Sequence, residues 1–180
     1  MSIVQPPNQS ESPSSVGPEE IKAMEVIRNS LGELRNISLP IDLTVIVKNA
    51  GLIVELGNFK DANISGAYSK ADKKIYVAND DPYYRQAFTV AHELGHFYLH
   101  KDSKDSEVFL RQYSDPDNAR DELEVQANKF AAALLMPREL VEQYWTAGKG
   151  TNEIASIFGV SPTAAYFRLK NLRLLELVHE

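Results

Sequence analysis

The chain contains no cysteine and no long uninterrupted apolar run. Without cysteine it forms neither disulfide bonds nor a thiolate metal site, and such a composition suits a reducing cytoplasm. No segment approaches the roughly 18 apolar residues that a membrane-spanning helix requires. The amino terminus also lacks the basic and apolar regions of a signal peptide. We therefore expect a cytoplasmic protein that does not bind a membrane.

Positive charge is scarce as well. The chain has 19 Lys and Arg residues against 25 Asp and Glu residues, for a net charge of −6. This balance gives no support to sequence-independent binding of nucleic acid. At 180 residues and 43% hydrophobic content, the chain is long enough for one domain with its own core, or for one domain with a small appendage.

The pentapeptide His-Glu-Leu-Gly-His at positions 92–96 is the most informative pattern present. Residues i and i+4 of an α-helix lie on the same face, so the His92 and His96 imidazoles can bind one divalent metal ion. Glu93 then lies beside that ion as a general base. A His-Glu-x-x-His string arises by chance in a chain of this length about one time in a hundred or less. We therefore interpret it as a metal site rather than as an ordinary helix that carries two histidines.

The residues around this pentapeptide predict a helix from Tyr83 to His100. Capping side chains and Pro82 precede it, no proline interrupts it, and its apolar residues form a stripe. Gly95 disfavours a helix by roughly 1 kcal/mol relative to alanine. Together with Ala91 it predicts that another element approaches closely beside the histidines.

A catalytic zinc ion usually has three protein ligands and a water molecule, so a third ligand is required. His100 is eight residues from His92, about 12 Å along a helix axis, which is too far for both to bind one ion on an intact helix. The extended pattern with a further glycine and histidine is absent, because Leu99 and Asp102 occupy those positions. The metzincin arrangement is thereby excluded.

Glu122 and Glu124, on the next predicted helix, remain as candidates for the third ligand. Asn128 follows Glu124 by four residues, and Gln126 follows Glu122 by the same spacing. In either pair the side-chain amide could form a hydrogen bond with a metal-coordinating histidine or orient the carboxylate. Spacing alone does not decide between them, and a solvated surface carboxylate is the ordinary role of either.

The remaining patterns predict an α+β fold with a small three-stranded antiparallel sheet packed on helices. We expect a disordered leader over residues 1–18, a metal-binding domain with an N-terminal helix over 19–147, and a helical module over 148–180. The hairpin 64–78 is expected to leave an edge strand beside the cleft, where an extended peptide would pair. The predicted helices begin near residues 19, 41, 83, 119 and 137, the strands cover 52–56, 64–69 and 74–78, and a short ordered piece covers 107–111.

Residues 148–180 have the outline of a helix-turn-helix, with Ser161 as the cap of its second helix and Pro162 at the first position. One hypothesis is contact with DNA, and the other is a packing module or a docking surface for a protein substrate. The module carries four Lys or Arg residues against three Glu residues, a weak setting for reading DNA. We therefore favour packing or docking. The candidate DNA-contacting residues are Arg168, Lys170, Asn171 and Arg173.

The run from Glu124 to Pro137, placed after His-Glu-Leu-Gly-His-Phe-Tyr-Leu-His, resembles the ImmA/IrrE family of metallo-endopeptidases. The segment Gln86 to His92 and the Ile64-Ser-Gly66 turn share this resemblance, which covers roughly residues 40–175. It implies a zincin-like core in which His92, His96 and a downstream glutamate bind the metal. The matching glutamate precedes Ala-Asn by three residues and is Glu124 rather than Glu122. Many relatives have a second glutamate where this chain has Gln126.

The same resemblance implies a function. Family members cleave a helix-turn-helix repressor that controls a prophage, a mobile element or a stress response, and we expect such a protein substrate here. Zinc is the expected ion, and manganese is also compatible with nitrogen and oxygen ligands. The alternative is a metal-binding regulatory protein that antagonises a repressor without proteolysis. Intact Glu93 favours the peptidase, because binding alone does not need a general base.

Overall fold

The computed structural model describes residues 16–61, 63–100, 108–112 and 122–178, so most of the predicted leader lies outside the described residues. Two short 3-10 turns, Leu34–Asn36 and Leu174–Val178, accompany the main elements. In chain order these elements are α1 (Pro18–Leu31), α2 (Leu43–Asn49), β1 (Ile53–Gly57), β2 (Ile64–Ser69), β3 (Lys74–Ala78), α3 (Tyr83–Leu99), β4 (Val108–Gln112), α4 (Glu122–Leu135), α5 (Arg138–Thr146), α6 (Thr151–Phe158) and α7 (Pro162–Asn171).

The four strands form one sheet in the order β1-β3-β2-β4. Strands β2 and β3 pair as the predicted antiparallel hairpin, with Gly66 opposite Val77. Strand β1 pairs in parallel with β3, and β4 pairs antiparallel with β2. The prediction of a three-stranded, wholly antiparallel sheet was therefore wrong. Both errors concern partners that are distant in the chain, since β2 separates β1 from β3 and the whole of α3 separates β4 from the hairpin.

This strand order also corrects the expectation about the hairpin edge. Strand β4 covers the outer edge of β2, and β1 covers the outer edge of β3, so both hairpin strands are interior. The sheet edges are β1 and β4. A peptide pairing with the sheet would thus have to add to one of those strands, not to the hairpin.

Helix α3 lies between the sheet and α4, and α1 packs against α4 and α2. This layering buries the apolar stripe of α4, including Phe130 and Leu134. Helix α1 buries Ala23, Val26 and Ile27, whereas Ile21 is 59% exposed. No helix in the described part of the chain is both long and apolar enough to cross a membrane.

The turn between α6 and α7 follows the predicted capping pattern. Gly159 ends α6 in the left-handed conformation, with φ of 66°, which favours glycine. The Ser161 Oγ accepts a hydrogen bond from the Ala164 backbone N–H, and Pro162 opens α7. The predicted cap of α7 is confirmed.

Arg168 of α7 does not belong to an exposed cationic surface. It is 7% exposed, and its guanidinium donates to Glu20 Oε1 at 2.6 Å and to the Met136 carbonyl at 2.9 Å. Lys170 and Arg173 are exposed. The hypothesis that Arg168 contacts DNA or a docked substrate is therefore wrong, because its charge is already used inside the fold.

Candidate metal centre

Helix α3 holds the two motif histidines inside the protein. The helix spans 17 residues, and its second half is buried between the sheet and α4. Its first turn is anchored to the end of β3, because the Gln86 side-chain amide donates to the Ala78 carbonyl at 3.1 Å. His92 and His96 are each 1% exposed. Their positions are therefore fixed by packing rather than by a mobile loop.

Helix α4 brings Glu124 to both histidines. One carboxylate oxygen lies 3.1 Å from His92 Nε2, and the other lies 3.0 Å from His96 Nε2. The two Nε2 atoms are themselves 3.1 Å apart. Donor atoms around a tetrahedral zinc ion, each about 2.0–2.1 Å from it, lie about 3.3 Å from one another. The His92, His96 and Glu124 donors therefore have the chemistry and separations that fit one small divalent ion.

The surroundings of Glu124 determine its charge. Burial alone would raise the pKa of its carboxyl, but hydrogen bonds and charge interactions with His92 and His96 outweigh this. The net effect holds the pKa of Glu124 well below its usual range. The carboxyl group is therefore ionised at neutral pH, as a metal ligand must be.

Glu122, the other candidate left open by spacing, makes no direct contact with either motif histidine within the described residues. Its side chain is exposed, and its Oε1 accepts a hydrogen bond from the Gln126 amide at 3.2 Å. The Asn128 Oδ1 lies 3.0 Å from His92 Nδ1. Of the two glutamate–amide pairs, Glu124 and Asn128 are therefore the pair that contacts the motif histidines His92 and His96 directly.

His100 is not placed as a ligand, yet it touches one. Its Nδ1 lies 3.0 Å from His96 Nδ1, and its Nε2 lies 3.0 Å from Gln126 Oε1. From the sequence alone, His100 is set aside as a ligand by distance, and this contact is missed. The signal was available, since His96 and His100 are four residues apart and therefore neighbours on one helix face.

Glu93 is fully buried on α3 next to His92. Strand β2 passes close by: a Cβ atom on Gly66 would overlap the Thr89 side chain and lie 3.7 Å from Glu93 Oε1. Glycine at position 66 therefore allows the sheet to approach the face of α3 that carries Glu93.

Two cavities border this part of the fold. One of about 280 Å³ touches His96 and His100 and is lined by Tyr68, Phe97 and Lys70, among others. A larger one of about 580 Å³ lies between α2, β1 and α3 and touches neither motif histidine. The larger of these two cavities is thus separate from the candidate metal centre.

Comparison with known proteins is consistent with this geometry. The Peptidase_M78 family, described as the IrrE N-terminal-like domain, matches residues 48–170. The chain is 34% identical over 108 residues to the radiation response metalloprotease IrrE of Deinococcus deserti, covering 58% of this chain and 38% of that protein. It is 26% identical over 107 residues to the metallopeptidase ImmA of Bacillus subtilis, covering 58% of this chain and 61% of that protein.

Two further proteins extend the comparison. The uncharacterized immunity region protein 2 of Bacillus phage phi105 is 31% identical over 101 residues, covering 56% of this chain and 61% of that protein. A solved Mycobacterium tuberculosis transcriptional regulator superimposes with a TM-score of 0.58 at 17% identity, covering 84% of this chain and 46% of that one. This last likeness concerns the fold alone. The chain spans between 38% and 61% of the lengths of the three relatives matched in sequence.

Proposed function

The chain belongs to the family of IrrE N-terminal-like domains, and from this premise we propose that it is a metal-dependent endopeptidase that cleaves a specific protein substrate. The observation that carries the proposal is the meeting of His92, His96 and Glu124, whose donor atoms all lie within 4.8 Å of one another. Three protein ligands and one open position are typical of catalytic rather than structural zinc sites.

In the proposed site, His92 and His96 bind the metal through Nε2, and Glu124 binds it through its carboxylate. Zinc is the expected ion, and manganese is compatible with the same donors. When bound, the metal would supply Lewis acidity, polarising the scissile carbonyl and lowering the pKa of a water ligand towards about 7. Glu93 would accept the proton of the attacking water and deliver it to the leaving amine. Asn128 orients His92 by accepting from its Nδ1–H.

We propose a helix-turn-helix transcriptional repressor as the substrate, one that controls a prophage, a mobile element or a stress regulon. The names of two relatives support a stress or phage setting, since one is a radiation response metalloprotease and another an immunity region protein of a phage. The resemblance to the ImmA/IrrE family supports it further. We also propose that residues 19–147 form a zincin-like core, and that 148–180 form an attached helical module with a packing or docking role.

Substitution of Glu93 by glutamine tests the proposal. The variant should retain the metal, because neither metal-binding imidazole changes. It should cleave a repressor whose gene is adjacent to the gene for this protein at least about 100-fold more slowly. Metal content is measured by elemental analysis, and cleavage by the appearance of repressor fragments. Glu139→Gln, an exposed change on α5, is the matched control and should cleave at the wild-type rate.

The same experiment addresses the second candidate function, a regulatory protein that antagonises a repressor by binding alone. The presence of Glu93 next to a ligand histidine in the buried centre favours the peptidase over this alternative. If Glu93→Gln still inactivated the repressor as wild type does, binding without hydrolysis would be the function instead.

A further inference from the structure

Three side chains link the second motif histidine, His96, to the protein surface. His96 Nδ1 lies 3.0 Å from His100 Nδ1, and His100 Nε2 lies 3.0 Å from Gln126 Oε1. The Gln126 Nε2 then lies 3.2 Å from Glu122 Oε1. His96 and His100 are buried, Gln126 is half-buried and Glu122 is exposed. We call this series, His96–His100–Gln126–Glu122, the relay.

The exposed end of the relay determines which way its hydrogen bonds run. An ionised carboxylate only accepts hydrogen bonds, so the Gln126 NH₂ must face Glu122, and the amide carbonyl must face His100. A carbonyl also only accepts, so His100 Nε2 must carry the proton. The Nδ1 of a neutral imidazole protonated at Nε2 is an acceptor, and it therefore receives the hydrogen bond of His96 Nδ1–H.

The consequence for His96 is a fixed orientation. With its Nδ1–H donated to His100, Nε2 is the His96 nitrogen that is left to bind a metal ion, and it lies beside His92 Nε2 and Glu124. The reversed relay would direct the Gln126 carbonyl at the Glu122 carboxylate and place the His96 proton on Nε2. That arrangement sets two acceptors against each other at the surface and blocks the metal-binding nitrogen.

We propose that Gln126, acting through His100 and held in orientation by Glu122, is a positioning residue that fixes the tautomer and ring orientation of His96. The inference rests on the proposed metal site but concerns residues that do not touch the ion. The ring of His92 is held by a single contact, with Asn128 of α4. The ring of His96 is held through a series of side chains that runs from α3 to α4. Hydrogen-bonding partners of this kind typically change metal affinity 10–100-fold when they are removed.

The test compares two substitutions of Gln126 in the full chain. Gln126→Met keeps the length of the side chain but removes both hydrogen bonds, and we expect it to weaken zinc binding by about tenfold. Gln126→Glu combined with Glu122→Gln keeps an oxygen acceptor for His100 and an amide donor at the surface, and should bind zinc within about threefold of wild type. Lys129→Met, an exposed change on the same helix, is the matched control and should bind as wild type. Zinc affinity is measured by competition with a chelator.

A second readout does not depend on metal. Nitrogen-15 NMR of the histidine rings in the metal-free protein should show the His96 Nδ1 protonated in wild type and in Gln126→Glu with Glu122→Gln, and partly deprotonated in Gln126→Met. The relay is refuted if Gln126→Met leaves both the zinc affinity and the protonation of His96 Nδ1 unchanged. If wild type binds no zinc, the proposed function fails, and the NMR measurement still decides the relay.

Discussion

Gly95 and Ala127 are in direct contact, because a Cβ atom on Gly95 would lie 3.0 Å from the Ala127 Cα and 3.1 Å from its carbonyl oxygen. Gly95 lies one residue before His96, and Ala127 lies three residues after Glu124. The close approach of the two helices at this point therefore sets the distance between the proposed metal-binding side chains of α3 and α4. The prediction that another element crowds α3 at Gly95 is confirmed.

Gly95→Ala should accordingly weaken the metal site although alanine is the better helix former. The gain in helix propensity is about 1 kcal/mol, whereas overpacking against a backbone costs about 1–3 kcal/mol. We expect a lower denaturation midpoint and weaker zinc binding, measured by urea unfolding and by chelator competition. Gly57→Ala is the matched control, since nothing lies within 4 Å of its added Cβ. A Gly95→Ala protein that binds zinc as wild type does would show that α3 and α4 can separate without affecting the ligands.

Removal of the two candidate carboxylates should have very different effects on metal content. Glu124 contacts both His92 and His96 within 3.1 Å, so Glu124→Ala should lose most of the bound metal. Glu122 reaches the site only through the relay, so Glu122→Ala should retain most of it. The measurement is elemental analysis after dialysis. Equal losses, or the reverse order, would contradict the assignment of Glu124 as the third ligand.

Arg168 should contribute strongly to stability. Its side chain is 7% exposed, and the side chain of its ion-pair partner Glu20 is 13% exposed. The pair is therefore largely buried. Removal of one member of a buried ion pair leaves the other uncompensated and costs about 3–5 kcal/mol. Arg168→Met should lower the unfolding free energy by an amount near that range, whereas Lys170→Met, an exposed change two residues away, should stay within about 0.5 kcal/mol of wild type. Similar unfolding curves for the two variants would argue against the pair.

The same pair predicts how stability depends on pH. Burial alone would raise the pKa of Glu20, but the charges and hydrogen bonds of Arg168 and Arg138 outweigh this and lower it. Since the folded pKa is below the unfolded value, the stabilisation is fully present above the unfolded pKa and is lost as pH falls through the folded one. Urea midpoints measured between pH 7 and pH 3 should therefore fall less steeply for Glu20→Gln than for wild type. Parallel curves would mean that Glu20 titrates alike in both states.

Local patterns predicted most of the helices and strands. The bounds of β2 and β3 match their alternating residues, and α3 begins at Tyr83 as the preceding proline indicates. What local patterns did not predict are pairings between distant segments. Strand β1 pairs with β3 although β2 lies between them in the chain, and β4 joins the sheet after α3. Periodicity indicates that a segment is a strand but carries no information about its partner.

The candidate site shows the same division. The i, i+4 spacing placed His92 and His96 on one face of α3, because that geometry is a property of the helix itself. The choice between Glu122 and Glu124 depends on how α4 is rotated against α3, and residue spacing does not give that rotation. The family resemblance favoured Glu124 without it. The burial of Arg168 depends on α1, whose Glu20 precedes it by 148 residues. No window of sequence around Arg168 distinguishes it from an exposed helical cation.

That separation has a consequence for the order in which the fold is completed during synthesis. Glu20 is synthesised 148 residues before its partner, and helices α2 to α6 are made between the two. Until α7 is made, Glu20 remains without the Arg168 guanidinium, and the carbonyl of Met136 at the end of α4 lacks its donor. Helices α1 and α7 therefore complete this part of the structure together, and a nascent chain halted before Arg168 should still be sensitive to proteases at α1.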